Sequence, residues 1–311
     1  MAIERELLTR MMAVLFLSAW IGFMGCGGTS SDDAKDTTVV GEYTAVSADF
    51  NHSAEAAAAS ALITNTSTIT YASVQKDLLS LVTGLSIEEV DQQKAVAKAI
   101  SSTKELYDNN GCPVITTQGV IVDRTLFITF DDDCDINDIP ISGVISGKWD
   151  YSSTTEDLSI TLAFDTFKVD DRSVAGEMLL EADLAEKKEL TINGKLTLTN
   201  GEQKQNSIEV NSLSVLCDFN STYDDPEDDE YTMNGSGLYT DADGKIYSLT
   251  FSNVVATFLC YYPVSGTVKV VSANPSYTAT VDFGSGSCDS TATVTIGRQV
   301  KEIDLNDPNL L

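Results

Sequence analysis

From Cys112 onward, apolar positions along the chain alternate with polar ones. Leu126-Ile128-Phe130, Leu158-Ile160-Leu162-Phe164, Met178-Leu180-Ala182-Leu184, Leu190-Ile192-Gly194-Leu196-Leu198 and Leu213-Val215-Cys217-Phe219 keep a period of two. Val254-Ala256-Phe258-Cys260-Tyr262 and Tyr277-Ala279-Val281-Phe283 continue the series. A period of two buries one face of a strand and wets the other. Turn signals separate the runs, among them Asn200-Gly201, Asp241-Ala242-Asp243-Gly244 and Gly284-Ser285-Gly286. No helical segment intervenes, so parallel crossovers are excluded. The pattern predicts a mainly β chain with an antiparallel meander over 109–311, built as a sandwich or an open curved sheet.

The period is different upstream. Ser53 to Ile63 is Ala-rich, and Val74, Leu78, Leu81, Val82 and Leu85 recur at helical spacing up to Gly84. Ser86-Ile87-Glu88-Glu89 reads as a capping box, in which the hydroxyl and a carboxylate satisfy amides at a helix start. That helix is expected to run to about Tyr107, before Asn109-Asn110-Gly111. A helical segment is therefore predicted over 51–108, with the Thr-rich stretch Thr64 to Tyr71 left unassigned.

The first residues follow another logic. Arg5 and Arg10 precede an uncharged stretch, Met11 to Gly25, which ends at Phe23-Met24-Gly25-Cys26. A membrane-spanning helix needs roughly 20 apolar residues, whereas this run breaks at Gly25-Cys26-Gly27-Gly28. Cleavage of a signal peptide over 1–25 fits it better than spanning. The tetrapeptide resembles the lipobox of bacterial lipoproteins: Gly25 and Cys26 match, and Phe23 replaces the common Leu. The resemblance implies diacylglycerol on the Cys26 sulfur, cleavage before Cys26 and acylation of the new amine. A secreted protein with a Cys there by chance is the competing reading. Gly27, rather than Asp, after the lipidated Cys resembles the outer-membrane sorting pattern. Residues 26–50 are expected to form a flexible tether, since the stretch after Cys26 is Gly, Ser, Thr and Asp-rich. About 15 such residues span roughly 20 Å.

Nineteen basic residues stand against forty-seven acidic ones, for a net charge of −28. Binding to nucleic acid rests on Lys and Arg neutralising phosphates, and no basic cluster supplies that here. The same charge repels anionic lipid, so acyl chains must hold the protein to the membrane.

Six cysteines remain to be placed, including Cys26. Cys112-Pro113-Val114 leads to Phe130-Asp131-Asp132-Asp133-Cys134-Asp135, and Cys260-Tyr261-Tyr262-Pro263-Val264 leads to Phe283 and Cys288-Asp289. We read two hairpin-like units, possible copies of one module, stapled by Cys112–Cys134 and Cys260–Cys288. Cys217 is left over, either as a buried thiol or as a partner for Cys260. The Cys-Pro and Phe-x-x-x-Cys-Asp patterns resemble those of uncharacterised bacterial lipoproteins, which supplies no activity.

Candidate chemistry is sparse. The single histidine, His52, lies beside the expected tether and is expected to be solvent-exposed. One imidazole leaves most His-dependent nucleophilic and zinc sites without their parts. Asp131, Asp133, Asp135 and Asn137 offer alternating oxygen donors for Ca2+. An EF-hand would need Gly and Glu where Ile136 and Ser142 stand. Asp224 to Glu230 reads as a solvated like-charge loop, and Asp241 to Lys245 as a hairpin turn. Trp149 with Tyr151, and Tyr261 with Tyr262, are candidates for glycan stacking, with a core role as the simpler reading. The expectation is a non-enzymatic protein, lipid-anchored in the cell envelope at the outer membrane, needing no cofactor. Its role is structural or ligand-binding, with a glycan or envelope protein as partner. The alternative is a carboxylate-based or calcium-assisted glycan hydrolase, whose two carboxyls would have to share a cleft.

Overall fold

The computed structural model describes residues 43–84, 101–105 and 113–307, the last stretch with gaps at 121–122, 137–138, 153–156, 165, 184–188, 219–228 and 258–259. One helix, α1 (Ser47–Gly84), precedes the strands, and its side chains are described as far as Ile69.

The strands are β1 (Ser101–Glu105), β2 (Val114–Val120), β3 (Asp123–Phe130), β4 (Asp135–Ile136), β5 (Ile139–Ser152), β6 (Asp157–Phe164), β7 (Lys168–Val169) and β8 (Arg172–Asp183). They continue as β9 (Glu189–Thr199), β10 (Gln205–Asp218), β11 (Glu230–Thr240), β12 (Ile246–Thr257), β13 (Ser265–Ala273), β14 (Ser276–Ser285), β15 (Thr291–Ile296) and β16 (Gln299–Asp304). All belong to one antiparallel meander in chain order, with β4 and β7 as short additions beside β5. The expected meander forms, as a curved sheet rather than a sandwich.

The reason for the curvature is α1. Every residue from Ala56 to Ile69 is buried, so no face of these turns meets water. A helix buried all round cannot lie on a flat sheet, and needs no polar stripe. The sheet curls around it: α1 touches β10 through β15, and Thr66 Oγ1 reaches Met178 Sδ on β8 at 3.9 Å. Ala54, Ala56, Ala57, Ala59 and Ala61 keep the helix thin enough to be enclosed.

Its hydroxyls satisfy themselves. Ser60, Thr64, Ser67 and Thr68 each donate to the carbonyl four residues earlier, at 2.6 to 2.9 Å. Such back-bonding hides a polar group inside a helix without an outside partner. The Thr-rich stretch from Thr64 is therefore helical, although its composition gave no sign of it.

Three boundaries differ from expectation. Residues 43–50, expected to be tether, are folded: Tyr43 stacks on Tyr277 at 5.8 Å, and α1 starts at Ser47. Asp49 explains that start, because its Oδ2 accepts the Val46 N–H at 2.8 Å in the manner of a capping box. The helix expected to reach Tyr107 gives way to β1, which pairs Ser101–Glu105 with Gln118–Val114. Pairing along an open sheet edge overrides the local pattern there. Finally, β12 ends at Thr257, so Cys260 and Tyr262 lie beyond the strand in which alternation placed them.

Inner positions are apolar and outer ones polar. In β14, Tyr277, Ala279, Val281 and Phe283 are buried while Ser276, Thr278, Thr280 and Asp282 are exposed. A transmembrane barrel carries an apolar band on its outer face; β14 presents the opposite. Among the described residues, no helix is long and apolar enough to cross a membrane.

The hairpins β9–β10 and β11–β12 are structural copies at one constant spacing, the one that carries Asn193 to Asn234. Both strands β10 and β12 are bulged, and the bulge residues Ser212 (φ 54°) and Asn253 (φ 49°) are equivalent. Asn193 Oδ1 accepts the Ser212 N–H, and Asn234 Oδ1 accepts the Asn253 N–H, each at 2.8 Å. In both strands the buried positions change parity across the bulge, from Ile208 and Val210 to Leu213, and from Leu249 and Phe251 to Val254. A bulge increases local twist and bend, which suits a sheet that must close around a helix.

Candidate functional site

The two copied hairpins end in the same loop. Asn200 Oδ1 accepts the N–H groups of Glu202 and Lys204 at 3.0 Å, and Asp241 Oδ1 accepts those of Asp243 and Lys245 at 3.0 and 2.9 Å. Positive φ falls at the matching positions Gln203 (63°) and Gly244 (81°). Because Ser207 pairs with Thr240, the loops lie side by side. The N-terminal turns of α1 lie against them, and between helix and loops opens a cleft of about 500 Å³.

His52 stands at this cleft and is a correction to the sequence reading. Its side chain is only 26% exposed, with Nδ1 at 3.4 Å from Glu55 Oε2 and 3.6 Å from Asp241 Oδ2. Glu55 is one turn along the same helix; Asp241 arrives from the β11–β12 loop, far away in sequence. The hydrogen bond to Glu55 raises the imidazole pKa above its ordinary value, against a lowering by burial, and the charge of Asp241 adds to the rise. Two phenols complete the network. Tyr239 donates to Glu55 Oε2 at 3.2 Å, and Tyr247 donates to Asp241 Oδ2 at 3.0 Å. Burial first, and then the carboxylates, push both phenols well above the ordinary tyrosine range. They act only as donors near neutral pH.

Beside this network the aromatic packing continues. Lys245 Nζ lies 5.0 Å from the Tyr247 ring centre and 5.9 Å from that of Tyr277, within cation–π range. Tyr43, which donates to Asp49 Oδ2 at 2.6 Å, has its phenol pushed up to about 12, chiefly by that bond.

The other wall of the cleft comes from the β9–β10 hairpin. Lys204 Nζ is held by Glu202 at 2.8 Å. Asn206 sits at the position that Tyr247 fills in the copy, on the inner face of β10, and is only 7% exposed. The residue is part of the cleft wall, and its Oδ1 is buried behind that wall with no hydrogen-bond partner. A buried acceptor left unpaired costs about 1–3 kcal/mol.

The sequence-derived candidates are placed elsewhere. Cys260 and Cys288 are disulfide-bonded as expected, with Cα atoms 5.6 Å apart. Cys134 is disulfide-bonded, while its expected partner Cys112 and the lipidation candidate Cys26 lie outside the described residues. Cys217 is buried on the inner face of β10. Asp131, Asp133 and Asp135 are exposed, and Asn137 lies outside the described residues. Among the described residues, no three His, Cys, Asp or Glu side chains converge to hold a metal ion. Tyr261 and Tyr262 pack edge to face at 4.9 Å and are buried, which is the core role. The side chains of Trp149 and Tyr151 lie outside the description.

None of the residues at the cleft was expected as a site. Asp241 was expected as a turn, and it is one, but its second carboxylate oxygen is the one that serves the network. The available sequence signal was the repeat: Thr191-x-Asn193-Gly194 and Thr232-x-Asn234-Gly235, followed at the same spacing by Thr199 and Thr240, Lys204 and Lys245, Ser207 and Ser248. The cysteine spacing points to a different pair of units, around Cys112–Cys134 and Cys260–Cys288.

No protein-family model, no curated protein and no solved structure matches the chain.

Proposed function

We propose that this chain is a lipid-anchored cell-envelope protein whose β domain binds a small polar ligand, from an envelope glycan or a related molecule, in the cleft beside His52. The observation that supports the binding reading is a cleft of about 500 Å³ lined by His52, Glu55, Asn206 and Asp241. Ligand sites commonly enclose about 300–1,000 Å³ and hold a few fixed polar groups. The Tyr239–Glu55–His52–Asp241–Tyr247 network supplies that fixity, because each side chain in it is held by another. The anchor rests on Gly25-Cys26 and the polar stretch behind it. Since Tyr43 packs on Tyr277 at the cleft end of the sheet, the tether leaves the domain from that same end. In this reading the ligand is met near the membrane surface.

Cys26→Ala tests both halves. The variant is expected to leave the membrane fraction while still binding, without turning over, members of a panel of envelope glycans and their monosaccharides. Retention in the membrane fraction contradicts the anchor. Binding of no panel member contradicts the ligand role, and turnover moves the reading to a hydrolase.

A further inference from the structure

We infer that β16 is a self-docking edge, to which a second copy of this chain adds its own β16, antiparallel, about a two-fold axis at Val300.

β16 is the last strand of the meander, and among the described residues none pairs with its far side. Gln299 pairs with Ile296 across the two-residue turn Gly297-Arg298, and the Leu305 N–H donates to the Ser290 carbonyl at 2.8 Å. The odd-numbered residues of β16 therefore bond to β15, and the backbone groups of Val300, Glu302 and Asp304 point away from the sheet. Such an edge is a template for another strand. Every residue from Gly297 to Glu302 is exposed, although Gln299 and Lys301 share the parity of the buried Ile303. Val300 is 66% exposed, the most exposed of the large apolar side chains described.

The charges decide which strand fits. With the axis at Val300, Val300 exchanges backbone hydrogen bonds with the partner's Val300, Arg298 faces the partner's Glu302, and Lys301 faces the partner's Gln299. Axes further along the strand set Lys301 on the partner's Lys301, or Glu302 on the partner's Glu302. Like charges directly opposite are destabilising, and opposite ones stabilise the pair. The Val300 register also uses only the exposed half of the strand and leaves Ile303 to its own core. Arg298, Lys301, Glu302 and Asp304 make this strip neutral on a chain of net charge −28. Two such chains can approach there, because charges elsewhere on the surface are largely screened beyond about 8 Å at physiological ionic strength.

Sedimentation equilibrium of the full chain in density-matched detergent tests this. A reversible dimer is expected. Arg298→Glu and Glu302→Arg are each expected to weaken it about tenfold, because the altered pair occurs twice across the axis. The double variant restores the opposite charges and should restore the dimer. Val300→Pro should leave a monomer with an unchanged urea midpoint, since the N–H it removes points away from β15 and proline is tolerated at such an edge position. A wild type that stays monomeric at the highest concentration it reaches overturns the inference. So does a dimer that ignores Val300→Pro and both charge reversals, or a double variant that associates no better than the single ones.

Discussion

The hairpins β9–β10 and β11–β12 share a loop, a bulge and the asparagine that holds the bulge, yet they finish their inner faces differently. In β11–β12 the ends are Tyr239 and Tyr247, whose hydroxyls reach Glu55 on α1 and Asp241 on the loop. In β9–β10 the equivalent ends are Leu198 and Asn206, and the Asn206 oxygen is unmatched. One copy is closed on itself and clamps the start of the helix. The other leaves a vacancy in its hydrogen bonding beside a cleft. The shared parts are what a curved sheet needs, since a bulge with its amide satisfied can be repeated wherever the strands must bend. On the proposed ligand-binding reading, the differing parts mark where the requirements of the fold stop and those of a ligand begin.

If the hairpins are true structural equivalents, removing the bulge clamp must cost the same in each. Asn193→Ala and Asn234→Ala each lose the bond to a bulge amide, Ser212 or Asn253. Each is expected to lower stability by about 1–2 kcal/mol, read from urea midpoints. A large cost in one and none in the other would break the equivalence.

A smaller effect belongs to the closed copy alone. His52 has its pKa raised mainly by Glu55, so the folded state holds the proton more tightly than the unfolded chain. The resulting stabilisation is fully present below the unfolded value of about 6.5 and is lost as pH rises through the raised folded value. Thermal melts should show the wild type losing melting temperature over that window relative to His52→Gln. Parallel curves for the two proteins would remove His52 from the clamp.

The sequence carried some of this and concealed the rest for physical reasons. Alternation made the strands legible because one face of each meets water; β14 reads cleanly for that reason. Thr64 to Ile69 was opaque because a helix enclosed on all sides has no stripe, and its hydroxyls turn inward to its own carbonyls. The parity change between Val210 and Leu213, and again between Phe251 and Val254, was a readable mark of the bulges. His52 was misjudged because its second carboxylate neighbour, Asp241, is brought in by the sheet. Asn206 could not be distinguished from any polar strand end until its copy, Tyr247, supplied a comparison.

The most direct test of that comparison is the stability of Asn206→Leu measured by urea unfolding of the protein without added ligand. If the asparagine is kept for a ligand, removing its orphaned oxygen relieves a cost the fold does not need. The variant should then be more stable than wild type by about 1 kcal/mol. A loss of stability of similar size would show that Asn206 serves the fold, and would contradict the division of roles between the two hairpins.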